Sequence, residues 1–167
     1  MTATPRPVKL DSRLGRVVQR AAQTSAFEPV ALKVAPVLDK LISRLTRGRW
    51  TMTSLIVPTL VLTTTGAKTG QPRTTPLACM PDGDDAFYVV GSNFGTEKHP
   101  AWTANLMKTP RATVVYAGRT TQVDAHLLSD EEKAEVWPRL TKVWPTYDHY
   151  LTKTDRNLRV FRLTRSS

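Results

Sequence analysis

At 167 residues the chain has the size of one ordinary domain and enough length to bury a core. A hydrophobic content of 40% with 23% charged residues argues against wholesale disorder, and the lone Cys79 excludes an intrachain disulfide framework. The formal net charge of +10 favours polyanionic partners, and it is unevenly spread: residues 1–50 carry ten Lys or Arg against Asp11, Glu28 and Asp39, while the rest carry fourteen against eleven.

The N-terminus has no uninterrupted apolar core of the signal-peptide kind, and no stretch reaches the ~18 apolar residues of a membrane span, which predicts a cytoplasmic protein. The first third reads as helical. Leu14, Val17, Val18, Ala21 and Ala22 recur at helical spacing behind Asp11 or Ser12 as a cap, with Arg13, Arg16 and Arg20 largely outside the stripe. After Pro29, Val34, Leu38, Leu41, Ile42 and Leu45 make a second stripe, rimmed by Lys40, Arg44, Arg47 and Arg49. Two uses of these helices stay open: packing on the domain or across a homodimer, or lying on anionic lipid through residues 10–49. Residues 1–50 are thus read as a basic helical extension, and 51–167 as the main domain.

From residue 55 the pattern becomes extended. "LIVPTLVLTTT", "RTTPLACM", "AFYVVGS", "RATVVYAG", "RTTQVDAHLL" and "LRVFRLTR" are rich in β-branched residues and predict six strands. Asp82-Gly83 and Ala117-Gly118 suit antiparallel hairpins, while Pro58 and Pro76 belong at a strand end, an edge or a bulge. Cys79, inside an apolar run, is expected to be a buried, inert thiol. Two helical segments interrupt the strands. "PAWTANLMKT" starts at Pro100 and stops before Pro110. "SDEEKAEVWPRLTKVW" has Ser129 and Glu132 as a capping box, turns Val136, Leu140 and Val143 to one side, and must kink or restart at Pro138. Beyond it, Tyr147 and Tyr150 share a helical face. Mostly antiparallel strands with late helices describe a small β-barrel of α+β type.

The connection "TTTGAKTGQPRTTPL", residues 63–77, is longer than a tight hairpin needs. Gly66 and Gly70 permit positive φ, which lets backbone N–H groups turn toward a bound group, and Lys68 with Arg73 pairs a point charge with a planar fork, as a phosphate requires. The glycine and lysine order is not that of a nucleotide phosphate loop or a dinucleotide fingerprint. A solvated turn and an anion cradle both remain open on these residues alone. His99, His126 and His149 are far apart, without an i, i+4 pair or a second cysteine, so no metal site is expected. Ser92, His99 and Asp124 lack the nucleophile elbow of a hydrolase. Phe87 with Tyr88 is a thin basis for a nucleic-acid-binding module, although the charge invites one.

Four blocks in unbroken order, "LTTTGAKTGQPRTTPL", "VVGSNFGTEKHPAWTANL", "NLMKTPRATV" and "WPRLTKVWPTYDHYLTKTDR", resemble the deazaflavin-dependent nitroreductase family, over about residues 55 to 164. The resemblance implies a split β-barrel that uses coenzyme F420 to reduce a quinone, an enone or a nitroheteroaromatic by hydride transfer. It places Lys68 and Arg73 on the F420 phosphate, Thr75, Pro76 and Leu77 beside the deazaflavin, and Gly91, Ser92 and Asn93 on a second wall. It also places Lys98 near the glutamate-bearing tail, Trp102 and Asn105 close to the cofactor, and Trp144, Tyr147 and Tyr150 over the substrate, with either tyrosine as proton donor. The best-known form of the family carries Ser-Lys-Gly-Gly where this chain has "SNFG", and Tyr where it has Trp144. Asn93 therefore removes a tail-binding cation, Phe94 adds bulk, and Trp144 removes a hydroxyl. An FMN- or haem-binding barrel is the alternative within the same fold.

Overall fold

The structure, a computed structural model, describes residues 57–167. The two basic helices expected within residues 10–49, with the membrane and dimer contacts assigned to them, and the domain boundary near residue 50 lie outside the described residues.

All six expected strands form: β1 (Thr59–Thr65), β2 (Pro72–Pro81), β3 (Ala86–Val90), β4 (Arg111–Tyr116), β5 (Arg119–Leu127) and β6 (Val160–Arg165). They close into a barrel in the order β1-β2-β3-β6-β5-β4. Closure rests on β1 meeting β4 antiparallel, with Val61 opposite Val115 and Leu62 opposite Val114. Between β4 and β5, Ala117 and Gly118 take φ of 49° and 80° in a two-residue hairpin, the positive pair that matches the twist of the flanking strands. Pro58 stands just ahead of β1. Pro76 lies within β2, yet β2 pairs with β3 from Cys79 opposite Val89, and β3 ends at Val90. Its missing N–H therefore leaves no gap in the β2–β3 ladder.

Strand alternation sorts the apolar residues into two cores. Leu60, Leu62, Cys79, Val89, Val114, Val123, Phe161 and Leu163 fill the barrel interior. Their neighbours Met80, Val90 and Val160 point outward into a second cluster with Val136, Leu140, Tyr147, Tyr150 and Leu158. Three adjacent strands, β2, β3 and β6, are thus covered on both faces. Burial raises the Cys79 thiol well above the usual cysteine range, so it stays a protonated packing group.

Helix α1 (Ala101–Lys108) sends Trp102 and Leu106, one turn apart, into the barrel core, with Trp102 at 5.7 Å from Phe161. Helix α2 (Asp130–Val143) and helix α3 (Thr146–Leu151) cover the second cluster, joined by Trp137 Nε1 donating to Asp148 at 2.9 Å. At Pro138, where a kink or a restart is expected, the helix does not restart. Helix α2 continues through it as one element, forgoing the bond that a prolyl nitrogen cannot donate, because Val136 and Leu140 anchor both sides. Asp82, at the β2–β3 turn, accepts from Arg139 of α2 and from Arg162 of β6, each at 2.9 Å. The Arg139 hydrogen bond is the main cause holding its carboxyl below the usual range, with burial opposing and Arg162 assisting. This clamp contributes at neutral pH and is lost as the pH falls through that lowered value.

The capping box at α2 is complete: Glu132 N–H donates to Ser129 Oγ at 3.2 Å and Ser129 N–H to Glu132 Oε2 at 2.7 Å. Ser129→Ala should cost about 1 kcal/mol. Urea unfolding followed by circular dichroism checks it, and a midpoint equal to that of the unaltered protein would show the cap to be dispensable.

Candidate functional site

The turn between β1 and β2 closes on itself: Gly66 N–H donates to Gln71 O and Gly70 N–H to Gly66 O, both at 2.8 Å. Gly70 has the positive φ expected of it, 68°. Gly66 does not; it is required because a Cβ there would stand 2.8 Å from Thr69 Oγ1 and 3.0 Å from Gln71 O. From α1, Asn105 Oδ1 accepts from Ala67 N–H at 2.8 Å, Asn105 Nδ2 donates to Thr64 Oγ1 at 2.9 Å, and Lys108 Nζ donates to Ala67 O at 2.7 Å. The N–H groups of Gly66, Ala67 and Gly70 are therefore spent inside the fold and do not turn toward a bound group. The side chains of Lys68 and Arg73 are open to one. Lys68 and Arg73 are both exposed, and among the described residues neither makes an ion pair.

By strand alternation Arg73, Thr75 and Leu77 share the face of β2 that continues into the barrel at Cys79. Leu77 packs on the interior cluster, Thr75 is half-buried and Pro76 is exposed on the opposite side.

The second loop, residues 91–99, is held by a residue that the sequence reading left without a role. Arg156 donates from Nη1 to Gly91 O at 3.0 Å, from Nη2 to Ser92 O at 2.7 Å and from Nε to Thr96 O at 3.1 Å. Its Nη1 also lies 2.8 Å from His99 Nδ1. A guanidinium only donates, so Nδ1 must accept and the ring proton sits on Nε2. Burial, then Arg159 and Arg156, hold His99 below its ordinary pKa, so the ring is neutral. Gly91 has no room for a side chain, since a Cβ would stand 2.7 Å from Thr103 Cγ2 of α1. Asn93 turns its amide inward, donating to Thr96 Oγ1 at 2.6 Å and Lys98 O at 2.9 Å. Lys98 itself is exposed.

Tyr147 and Tyr150 lie on one face of α3, both 6% exposed, with ring centroids 6.4 Å apart. The row continues to Trp137 at 6.1 Å from Tyr147 and to Phe94 at 6.2 Å from Tyr150. Phe94 and Gly95 thereby join the second loop to the tyrosines. Burial, then Cys79 and Tyr150, raise the Tyr147 hydroxyl well above the usual tyrosine range, so it stays protonated. Trp144 caps α2 half-buried against the same cluster. Trp102 and Asn105 belong to the core side of α1 rather than to an open surface.

Two surface concavities lie elsewhere, on α2. One, of about 470 Å³, includes Tyr88, His126, Glu132, Arg139 and Arg162 in its lining; the other, of about 200 Å³, includes Lys133, Trp137 and Asn157. Neither is lined by a residue that the family resemblance places at the cofactor or the substrate. The larger holds two guanidiniums, but both are already paired with Asp82 and are poor receivers of a further anion. His126 contacts Glu132 at 3.0 Å, and among the described residues no three of His, Cys, Asp and Glu gather as a metal centre needs.

The closed antiparallel barrel with its few covering helices is a split β-barrel oxidoreductase. Residues 39–165 match the F420H(2)-dependent quinone reductase family, and the chain belongs to it. An F420H(2)-dependent quinone reductase of Mycobacterium tuberculosis (strain ATCC 25618 / H37Rv) is 36% identical over 111 residues, which cover 65% of this chain and 74% of that one. A solved F420-H2 dependent reductase (FDR-A) superposes with a TM-score of 0.58 at 34% identity, covering 64% of this chain and 93% of its own. A structure described as a domain-swapped dimer gives 0.60 at 30% identity, covering 74% and 94%. The protein is thus an enzyme whose cofactor is coenzyme F420.

The donor set suits such a cofactor, which carries a phosphate and carboxylates, because Lys68, Arg73 and Lys98 are exposed cations with no carboxylate partner among the described residues. Arg156→Lys replaces the fork by a point charge that serves fewer carbonyls. It should cost about 1–3 kcal/mol and raise amide exchange across residues 91–99. Native-state hydrogen exchange reads this directly, and unaltered protection there would remove Arg156 as the holder of the loop.

Proposed function

We propose that the chain reduces a quinone-type ring with hydride from F420, the cofactor being clamped by its phosphate between Lys68 and Arg73. When bound, reduced F420 supplies the hydride. The protein's own residues bind, orient and exclude water. Lys68 brings a mobile ammonium and Arg73 a planar fork to the phosphate, while Lys98 takes the carboxylates of the tail. Thr75, Pro76 and Leu77 run beside the ring, and Gly91, Ser92 and Asn93 form the opposite wall, with Trp102 and Asn105 behind them. Trp144, Tyr147 and Tyr150 border the acceptor. Enones and nitroheteroaromatics, electrophilic in the same sense, are further acceptors within this reading.

The supporting observation is the strut formed by α1. Asn105 and Lys108 fix the Lys68 turn from one side of that helix, and Thr103 packs on Gly91 from the other. One short helix thereby sets both walls, the preorganisation that hydride transfer between stacked rings demands. A quinone that accepts hydride also needs one proton to become a hydroquinone. The raised Tyr147 hydroxyl is a weak acid but a durable donor, which suits it to hold the acceptor oxygen by a hydrogen bond. Two features extend the reading: a homodimer, by analogy with the domain-swapped neighbour, and contact of the basic residues 10–49 with an anionic membrane.

Fluorescence titration with F420 tests the clamp. Lys68→Ala and Arg73→Ala should each weaken binding by ~1.5–3 kcal/mol with little loss of fold. Unchanged affinity in both would refute the phosphate role. Parallel titration with FMN separates the alternative cofactor, because saturable FMN binding without F420 binding would reverse the assignment. For Tyr147→Phe, turnover with reduced F420 should slow at similar cofactor affinity; a turnover number equal to the unaltered enzyme's would leave the hydroxyl without a catalytic part.

A further inference from the structure

Asn93, Phe94 and Gly95 follow one another in the left-handed region, with φ of 45°, 56° and 75°. Glycine adopts that conformation freely and asparagine readily, but an aromatic residue does so under strain, its Cβ crowding the carbonyl. Strain of this kind persists where the surroundings over-determine the backbone. Here they do. Arg156 takes the carbonyls of Ser92 and Thr96 on either side, the Asn93 amide bonds Thr96 Oγ1 and Lys98 O, and a Cβ on Gly95 would lie 3.1 Å from Tyr150 O.

The strained residue gains little from burial. Phe94 is 41% exposed, and its ring meets Tyr150 edge-on at 6.2 Å. An exposed phenyl fixed on a rigid loop, at the open end of the Tyr150–Tyr147 row, is stabilised when a flat apolar ring covers it. A fused two-ring acceptor covers more of it than a single ring does.

We propose that Phe94 is a specificity-determining residue, a platform on which the flat face of a fused-ring quinone stacks, with Tyr150 backing it. The proposal rests on the reading of this site as the quinone-reducing centre. The loop is built to present one side chain, its backbone held by Arg156 and the Asn93 amide.

The test compares the unaltered full chain with Phe94→Ala and Phe94→Trp. Alanine keeps the Cβ and with it the same backbone demand, so that it removes the ring alone; tryptophan keeps a flat face. Calorimetry measures the affinity of naphthoquinone for enzyme carrying oxidised F420, and steady-state assays with reduced F420 compare KM for naphthoquinone and benzoquinone. Phe94→Ala should raise the naphthoquinone Kd and KM about tenfold, the size of an aromatic pairing, and the benzoquinone KM by a clearly smaller factor, while F420 affinity stays within about twofold. Phe94→Trp should restore naphthoquinone binding. Equal weakening of both quinones, loss of F420 affinity in step with them, or an unchanged naphthoquinone Kd would each overturn the platform. Failure of the unaltered chain, with F420 bound, to reduce either quinone would instead overturn the quinone reading itself, and the platform would fall with it.

Discussion

Asn105 is buried where a helix, a strand and a loop meet, and its one carboxamide satisfies polar groups on two of them: the Ala67 amide of the turn and the Thr64 hydroxyl of β1. A buried carboxamide is tolerated only when its donor and acceptor sides both find partners, so the geometry of the turn follows from the position of α1. That position is in turn set by Trp102 and Leu106 in the barrel core. Hydrophobic burial thus fixes the helix, the helix fixes the turn, and the turn presents Lys68 and Arg73 to solvent.

The second wall uses a different device. Arg156 gathers carbonyls of the loop from residue 91 to residue 96 with one planar fork, a task for which a point charge lacks the geometry. His99, neutral and accepting, completes the fork without adding a positive charge beside it. The loop can then hold Phe94 in a conformation it would leave if free. Stability is spent in the loop and recovered in the two cores, where β2, β3 and β6 are packed on both faces.

Much of the barrel was legible in the residues. Runs of β-branched side chains mark each strand, and Ala117-Gly118 marks a hairpin because that turn needs two positive φ values in succession. Ser129 and Glu132 announce the start of α2 through the chemistry of exposed N–H groups. The site was less legible. A glycine at position 66 suggests positive φ, yet its need is space, which depends on Thr69 and Gln71 folding back over it. Arg156 ends the fourth family-like block, but nothing local marks its role, because its partners lie some sixty residues away in the chain. Pro138 signals a kink or a restart, and the restart is a local tendency that the anchoring of Val136 and Leu140 overrides.

By itself, then, the order of residues determined what is local: strand and helix identity, turn chemistry, the excess of positive charge, and blocks similar enough to a known family to suggest a deazaflavin cofactor. Only the tertiary structure decided which amides of the glycine turn are already spent, that Trp102 and Asn105 serve as strut and tie, and that Phe94 is held exposed. The physical reason is that hydrogen-bond satisfaction and packing are settled between residues distant in sequence, and a side chain becomes available to a ligand only after the fold has taken its share.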